Sequence, residues 1–173
     1  MAAHASTVKT VAKFLREVVR RKVFGGGPAN ELEDIYNYQP IDGLYATSGQ
    51  PSEKQFELIK NAGVRTVVNL APTSVLENSL IDEPRVLAAL GLAYHHLPVD
   101  FQNPREEDFE RFCALIEEQQ NDHLWVHCAA NMRVSAFTYR YRTQVLGHDR
   151  DAALRDLHKV WEPVGVWKIF IAE

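Results

Sequence analysis

The stretch HCAANMRVS, His127 to Ser135, puts a cysteine and an arginine on one short loop with small residues beside the cysteine. It follows the apolar run HLWVH and leads into VSAFTYRYRTQVLG, whose spacing predicts a helix closed by Gly147. A strand-to-helix turn of this kind aims successive backbone N–H groups and a helix N-terminus into one concavity, which attracts anions. Cys128, at its start, feels the same field, and that field favours the thiolate, the nucleophilic form. A thiolate beside an oxyanion cradle is the equipment for a covalent intermediate with a phosphoryl group. Four residues separate Cys128 from Arg133, so a guanidinium able to grip an oxyanion in a bidentate clamp sits within the same turn.

The elements that must position this loop are legible around it. PSEKQFELIKNAG reads as a helix with Ser52 as N-cap, Phe56 and Ile59 on one stripe and Gly63 as its stop. VRTVVNL is a valine-rich run typical of a buried strand. DEPRVLAALG is a short helix with Pro84 in its first turn and Gly91 at its end, and LAYHHLPV is a further strand. PREEDFERFCALIEE forms a helix with Phe109, Phe112, Cys113 and Ile116 on one stripe and acids in the first turn, where the dipole favours them. HLWVH is the strand before the loop, and one or two helices cover Asp149 to Ile169. Upstream, ELEDIYNYQPIDGLYATSGQP reads as loop with a short strand near Leu44 to Ala46. Strands alternating with helices mean an α/β domain with a mainly parallel central sheet flanked by helices. Ligands of such sheets bind beyond the C-terminal strand ends, and Cys128 falls there.

Composition narrows the class. The 173 residues are 46% hydrophobic and 24% charged, suited to one domain with a sizeable core. No run is apolar for the ~20 residues of a membrane-spanning helix, and the N-terminal stretch lacks the apolar block of a secretory signal. Two cysteines make no disulfide scaffold, so a reduced, cytoplasmic setting is expected. Residues 1–24 hold six basic side chains and one acid, a charge of +5, against −4 for the whole chain and hence −9 for the rest. General nucleic-acid binding by the main domain is therefore not expected. We divide the chain into a basic amphipathic helix with a Gly-rich linker, residues 1–30, and a domain over 31–173. In the helix, Val8, Val11, Leu15, Val18 and Val19 share one face, while Lys9, Lys13, Arg16 and Arg20 share another. GGGPAN, Gly25 to Asn30, then breaks the pattern. Three uses fit this helix: packing on the domain with a solvated face, contact with an anionic membrane surface or acidic partner, or an organelle-targeting presequence. Packing is the commonest fate of such helices.

LYATSGQP, GVRTVVNL, YHHLPVD, VHCAANMRVSAF and WEPVGVW together resemble the protein tyrosine phosphatase superfamily. The likeness runs from about Gly43 to Phe170 and is greatest to a group of small, bacterial-type, atypical dual-specificity-phosphatase-like proteins. It implies the cysteine-phosphatase fold and metal-independent, cofactor-free hydrolysis of a phosphomonoester, on a phosphoprotein or a small phosphate ester. Cys128 then corresponds to the nucleophile and His127 to the histidine that buttresses the loop. The backbone amides of Ala129, Ala130, Asn131, Met132, Arg133 and Val134 correspond to the oxyanion cradle. Asn131 stands where glycine is usual, and asparagine is the next-best residue for a left-handed turn. Ser135 matches the residue that supports the leaving thiolate. Asp100, 28 residues before Cys128, matches the general acid within about one position, with Asp108 as the second choice. Both aspartates also have ordinary explanations, in a turn and in a helix first turn.

The departure lies at the clamp, since Val134 occupies the usual arginine position. Either the loop is one residue shorter and Arg133 serves as clamp, or it keeps ordinary length with Val134 in the core and Arg133 turned elsewhere. Val134, Phe137, Tyr141 and Val145 make a helical stripe, which favours the second. Retention of His127, Cys128 and a loop arginine favours the first, and the resembled group places its arginine one position early. An active phosphatase is the expectation. The alternatives are a pseudophosphatase that binds phosphoryl groups or a partner, and a redox or sulfur-transfer thiol at Cys128. Cys113 is expected to be core, His95 and His96 to be no metal pair, Trp125 to fill the core under the loop, and Trp161 and Trp167 to pin the C-terminal helix. TSGQP serves equally as a site rim or as a turn into the Ser52 helix.

Overall fold

Residues 2–24, 29–73, 82–119 and 123–172 are described by the computed structural model. The chain opens with helix α1 (Ala2–Phe24) and a single 3-10 turn at Leu32–Asp34. Strands β1 (Gln39–Ile41) and β2 (Tyr45–Ser48) precede α2 (Glu53–Asn61), β3 (Thr66–Asn69), α3 (Glu83–Leu90) and β4 (Ala93–His96). Helix α4 (Glu106–Gln119), strand β5 (Leu124–His127) and helices α5 (Met132–Arg140), α6 (Arg150–Val160) and α7 (Val166–Phe170) complete it. The linker expected over Gly25 to Asn30 lies largely outside the described residues.

The five strands form one sheet in the order β1-β2-β5-β3-β4. β1 pairs antiparallel with β2, and every other pairing is parallel. β5 is central, and its four residues are all buried. The antiparallel β1 was not expected from the sequence. At three residues with a proline at its centre it is too short to show a period.

Local chemistry sets most boundaries. Ser52 and Gln55 form a reciprocal capping box at the start of α2, with contacts of 3.0 and 3.4 Å. Gly91 ends α3 at φ +69°, the left-handed conformation that glycine adopts at least cost. Beyond Arg140 the helix continues as one π-type turn, Tyr141–Val145. That wider turn shifts the helical register. Val134, Phe137 and Tyr141 are buried as the stripe requires, whereas Val145 is exposed.

Helices cover both faces of the sheet. On one, Val67 and Trp125 pack with Phe56, Ile59, Val86 and Leu87 from α2 and α3. On the other, Val68 and Val126 meet α4, α5, α6 and α7. There Phe137 stacks on Phe170 at 4.9 Å and takes edge contacts from Phe109 and Phe112. The buried guanidinium of Arg140 lies 4.0 Å over Phe109 and is held bidentately by Glu106 at 2.7 and 3.0 Å. Phe137→Ala is expected to cost about 3–5 kcal/mol in urea unfolding, because the neighbouring rings cannot all collapse into the void.

Candidate active site

The loop 128–131 leaves the C-terminal end of β5, and β2 continues past its last residue to line it. Cys128 N donates to Ser48 O at 3.3 Å and Gln50 N to Ala129 O at 3.2 Å, while Gly49 bridges Ala130. A side chain at Gly49 has no room: a Cβ there would come within 2.7 Å of the Tyr36 ring and 3.0 Å of Ala129 O. TSGQP therefore braces the loop and turns the chain into α2, whose N-cap is Ser52.

Asn131 makes the turn into α5 with φ +64°. Its side-chain amide donates to Asn37 O at 2.8 Å and Thr47 Oγ1 at 3.0 Å, and Asn37 returns a bond to Ala130 O at 2.9 Å. The Asn131 side chain makes no cap hydrogen bond to α5. The first-turn N–H groups of a helix have no intrahelical acceptor, so this end of α5 presents donors to the loop's concavity.

Cys128, Ala129, Ala130, Met132 and Arg133 line one cavity of about 370 Å³, whose other walls are Val11, Phe14, Phe101, Gln102, Trp161, Val164 and Trp167. Arg133 is buried, with its guanidinium carbon 5.2 Å from the Phe101 ring centroid. Val134 is fully buried in the core. The two geometries open in the sequence are thus combined: Val134 packs inward while Arg133 still shares a cavity with Cys128. Helical geometry explains it, since adjacent residues point about 100° apart and the inward and cavity-facing sides of α5 are neighbours.

The remaining site residues are less closely grouped. Asp100 is exposed and closes a turn, accepting from Gln102 N at 2.8 Å, directly before the cavity residues Phe101 and Gln102. Asp108 is buried in the first turn of α4, 3.6 Å from Arg105. Ser135 turns its hydroxyl to Met132 O at 3.1 Å and accepts from Trp161 Nε1 at 3.2 Å. Its observed partners are thus the helix and Trp161, in place of the expected thiolate contact. Cys113 is half-buried, and burial, with Glu117 nearby, pushes its thiol up to about 11. Trp125 is buried, stacks on Tyr38 and donates to Ser48 Oγ at 3.0 Å. Trp161 and Trp167 hold the cavity as well as the C-terminal helix, for Trp167 Nε1 donates to Phe101 O at 2.9 Å. Among the described residues no cluster of His, Cys, Asp or Glu is arranged to hold a metal ion.

Sequence reasoning named His127 as the buttress of the loop but missed its partner Glu83. His127 is fully buried, and its Nε2 lies 2.8 Å from Glu83 Oε1. Glu83 also accepts from Asn69 Nδ2 at 3.2 Å and Gln50 Nε2 at 2.8 Å. Burial alone would raise its carboxyl; the contacts from His127, Gln50 and Asn69 outweigh that and hold it below the usual carboxylate range. In the sequence Glu83 looks like an ordinary first-turn acid, and only its burial marks it out.

Fold and site together define a phosphatase-like α/β domain of the protein tyrosine phosphatase type. More narrowly, the chain belongs to the PTP-NADK family, described as a DSP-PTPase phosphatase fused to NAD+ kinase, whose model matches residues 7–161. A protein of Shewanella putrefaciens CN-32 described as a putative phosphatase (DUF442) is 33% identical with a TM-score of 0.70, over 82% of this chain and 92% of that one. TpbA of P. aeruginosa, solved with phosphotyrosine, is 16% identical with a TM-score of 0.60, over 84% and 93%. The catalytic core of the S. cerevisiae PP-IP phosphatase SIW14 is 12% identical with a TM-score of 0.66, over 80% and 85%. At those identities the last two share the fold alone. A beta-lactamase hydrolase-like protein of Xylella fastidiosa is 32% identical over 95 residues, 54% of this chain. This chain spans only 22% of the length of that relative.

Replacing Glu83 by glutamine is expected to lower stability by about 2–4 kcal/mol in urea titrations near neutral pH. The stabilisation from this depressed carboxyl is present above the ordinary carboxylate range and is lost as pH falls through its folded-state value. Glu83→Gln is therefore expected to flatten the acid limb of the stability curve, measured by urea unfolding from neutral to acid pH.

Proposed function

We propose that this protein is a cysteine-dependent phosphatase that hydrolyses a phosphomonoester. The observation that carries the reading is Arg133, which reaches the cavity of Cys128 although Val134 holds the usual arginine position. In this account the Cys128 thiolate attacks phosphorus and the ester P–O bond breaks. Asp100 gives the leaving oxygen its proton, by a movement of its exposed turn towards the cavity. Water, giving a proton back to Asp100, then attacks phosphorus, the P–S bond breaks, and thiolate and inorganic phosphate are released. Arg133 and the amides of residues 129–134 hold the phosphoryl oxygens, where charge accumulates in the transition state. Asp100 is preferred to Asp108 because Asp108 is buried beside Arg105, whereas Asp100 adjoins two cavity residues. A reducing, cytoplasmic setting suits a mechanism that needs the free thiol.

The test is turnover of an aryl phosphate under reducing conditions. Cys128→Ser is expected to fall to background, and Arg133→Ala to lose about two to three orders of magnitude in kcat. Asp100→Asn is expected to lose activity most on substrates with poor leaving groups, whose oxygen most needs the proton. Wild type indistinguishable from Cys128→Ser would overturn the hydrolytic reading and favour a phosphoryl-binding module.

A further inference from the structure

Only part of the apolar stripe of α1 packs on the domain. Val18 and Glu17 are buried, and Phe14 packs against the main core. The other aliphatic residues of the stripe point outward: Val8 is 64% exposed, Leu15 57%, Val19 60% and Val11 43%. An exposed row of four aliphatic side chains on one helix face is uncommon without an occupant. Beside it runs the basic row of Lys9, Lys13, Arg16 and Arg20. Two of these have acidic neighbours within the chain: Arg20 pairs with Glu17 at 3.0 Å, and Lys13 lines a recess with Glu33, Asp42 and Asp156. Lys9 and Arg16 are exposed.

We infer that α1 docks the protein on an anionic bilayer surface, its aliphatic row entering the interface and Lys9 and Arg16 meeting the headgroups. Three observations favour this occupant. An apolar row flanked by basic side chains is the pattern of a helix lying in a membrane interface. The charge is polarised, with +5 in residues 1–24 against −9 in the rest, so an anionic surface attracts α1 and repels the remainder of the molecule. Self-association through the same row would bring two sets of basic side chains close together, at a repulsive cost. Among the described residues no helix is long and apolar enough to cross a membrane, so the contact is peripheral. Val11 belongs both to the outward row and to the cavity wall, so docking would set the cavity mouth at the interface. The inference does not depend on the hydrolytic reading.

The experiment is sedimentation of the full chain with vesicles of phosphatidylcholine alone or with about one third phosphatidylglycerol. Binding to the anionic vesicles is expected to be about ten-fold tighter, and to weaken as salt rises towards about 1 M and the Debye length shrinks. Leu15→Glu with Val19→Glu should abolish binding, and Lys9→Glu with Arg16→Glu should reduce it about ten-fold. Val145→Glu, an exposed aliphatic site on another element, should change nothing. Thermal melts should be unaltered, since every substituted side chain is exposed. Equal sedimentation of wild type and Leu15→Glu/Val19→Glu, or none by wild type, would overturn the inference. So would a wild-type dimer in sedimentation velocity that the same pair dissolves, which would assign the row to a second copy.

Discussion

A single left-handed residue governs the site. With φ at +64°, Asn131 turns the chain from the end of β5 into α5 within a few residues. A branched or bulky side chain resists that conformation, and asparagine tolerates it. The same side chain then reaches Asn37 and Thr47, so the turn is anchored to β2 and to the segment before β1. From that anchored turn follow the uncapped end of α5, the close approach of Gly49, and the direction in which Arg133 leaves the helix.

Behind the loop the architecture is polar and buried, which is costly for a carboxylate unless hydrogen bonds compensate it. Glu83 meets that condition with contacts from three side chains on separate segments: Gln50 after β2, Asn69 on β3 and His127 on β5. The network therefore ties three segments at the C-terminal edge of the sheet, directly under the loop. In front, the cavity is largely apolar, walled by Phe101, Trp161 and Trp167 and held by the bond from Trp167 to Phe101 O. In the proposed mechanism these apolar walls strengthen the attraction of Arg133 and the loop amides for a phosphoryl group.

Much of this was legible in the sequence where a local rule decides the structure. The Ser52 cap, the stop at Gly91, the valine run of β3 and the stripe of α4 each follow from neighbours within a few residues. The left-handed turn at Asn131 was legible for the same reason, since it depends on residue type. Contacts between distant segments were not. Nothing near Glu83 in the chain announces His127, 44 positions away, and nothing near Gly49 announces Ala129. The outward turn of the α1 stripe belongs with these. Periodicity finds the stripe but not which side of the helix the domain takes, and Phe14 with Val18 captured the packing. Arg133 is the intermediate case: its neighbourhood on the loop could be read, its shared cavity with Cys128 could not.

The central claim is that the short loop still forms an oxyanion site between Cys128 and Arg133. A crystal structure with tungstate, a phosphate mimic, tests it most directly. The account predicts one tetrahedral oxyanion facing the Cys128 sulfur, with the Arg133 guanidinium on two of its oxygens and the 129–134 amides around the rest. Tungstate bound elsewhere, or a cavity that stays empty while Arg133 remains over Phe101, would contradict it.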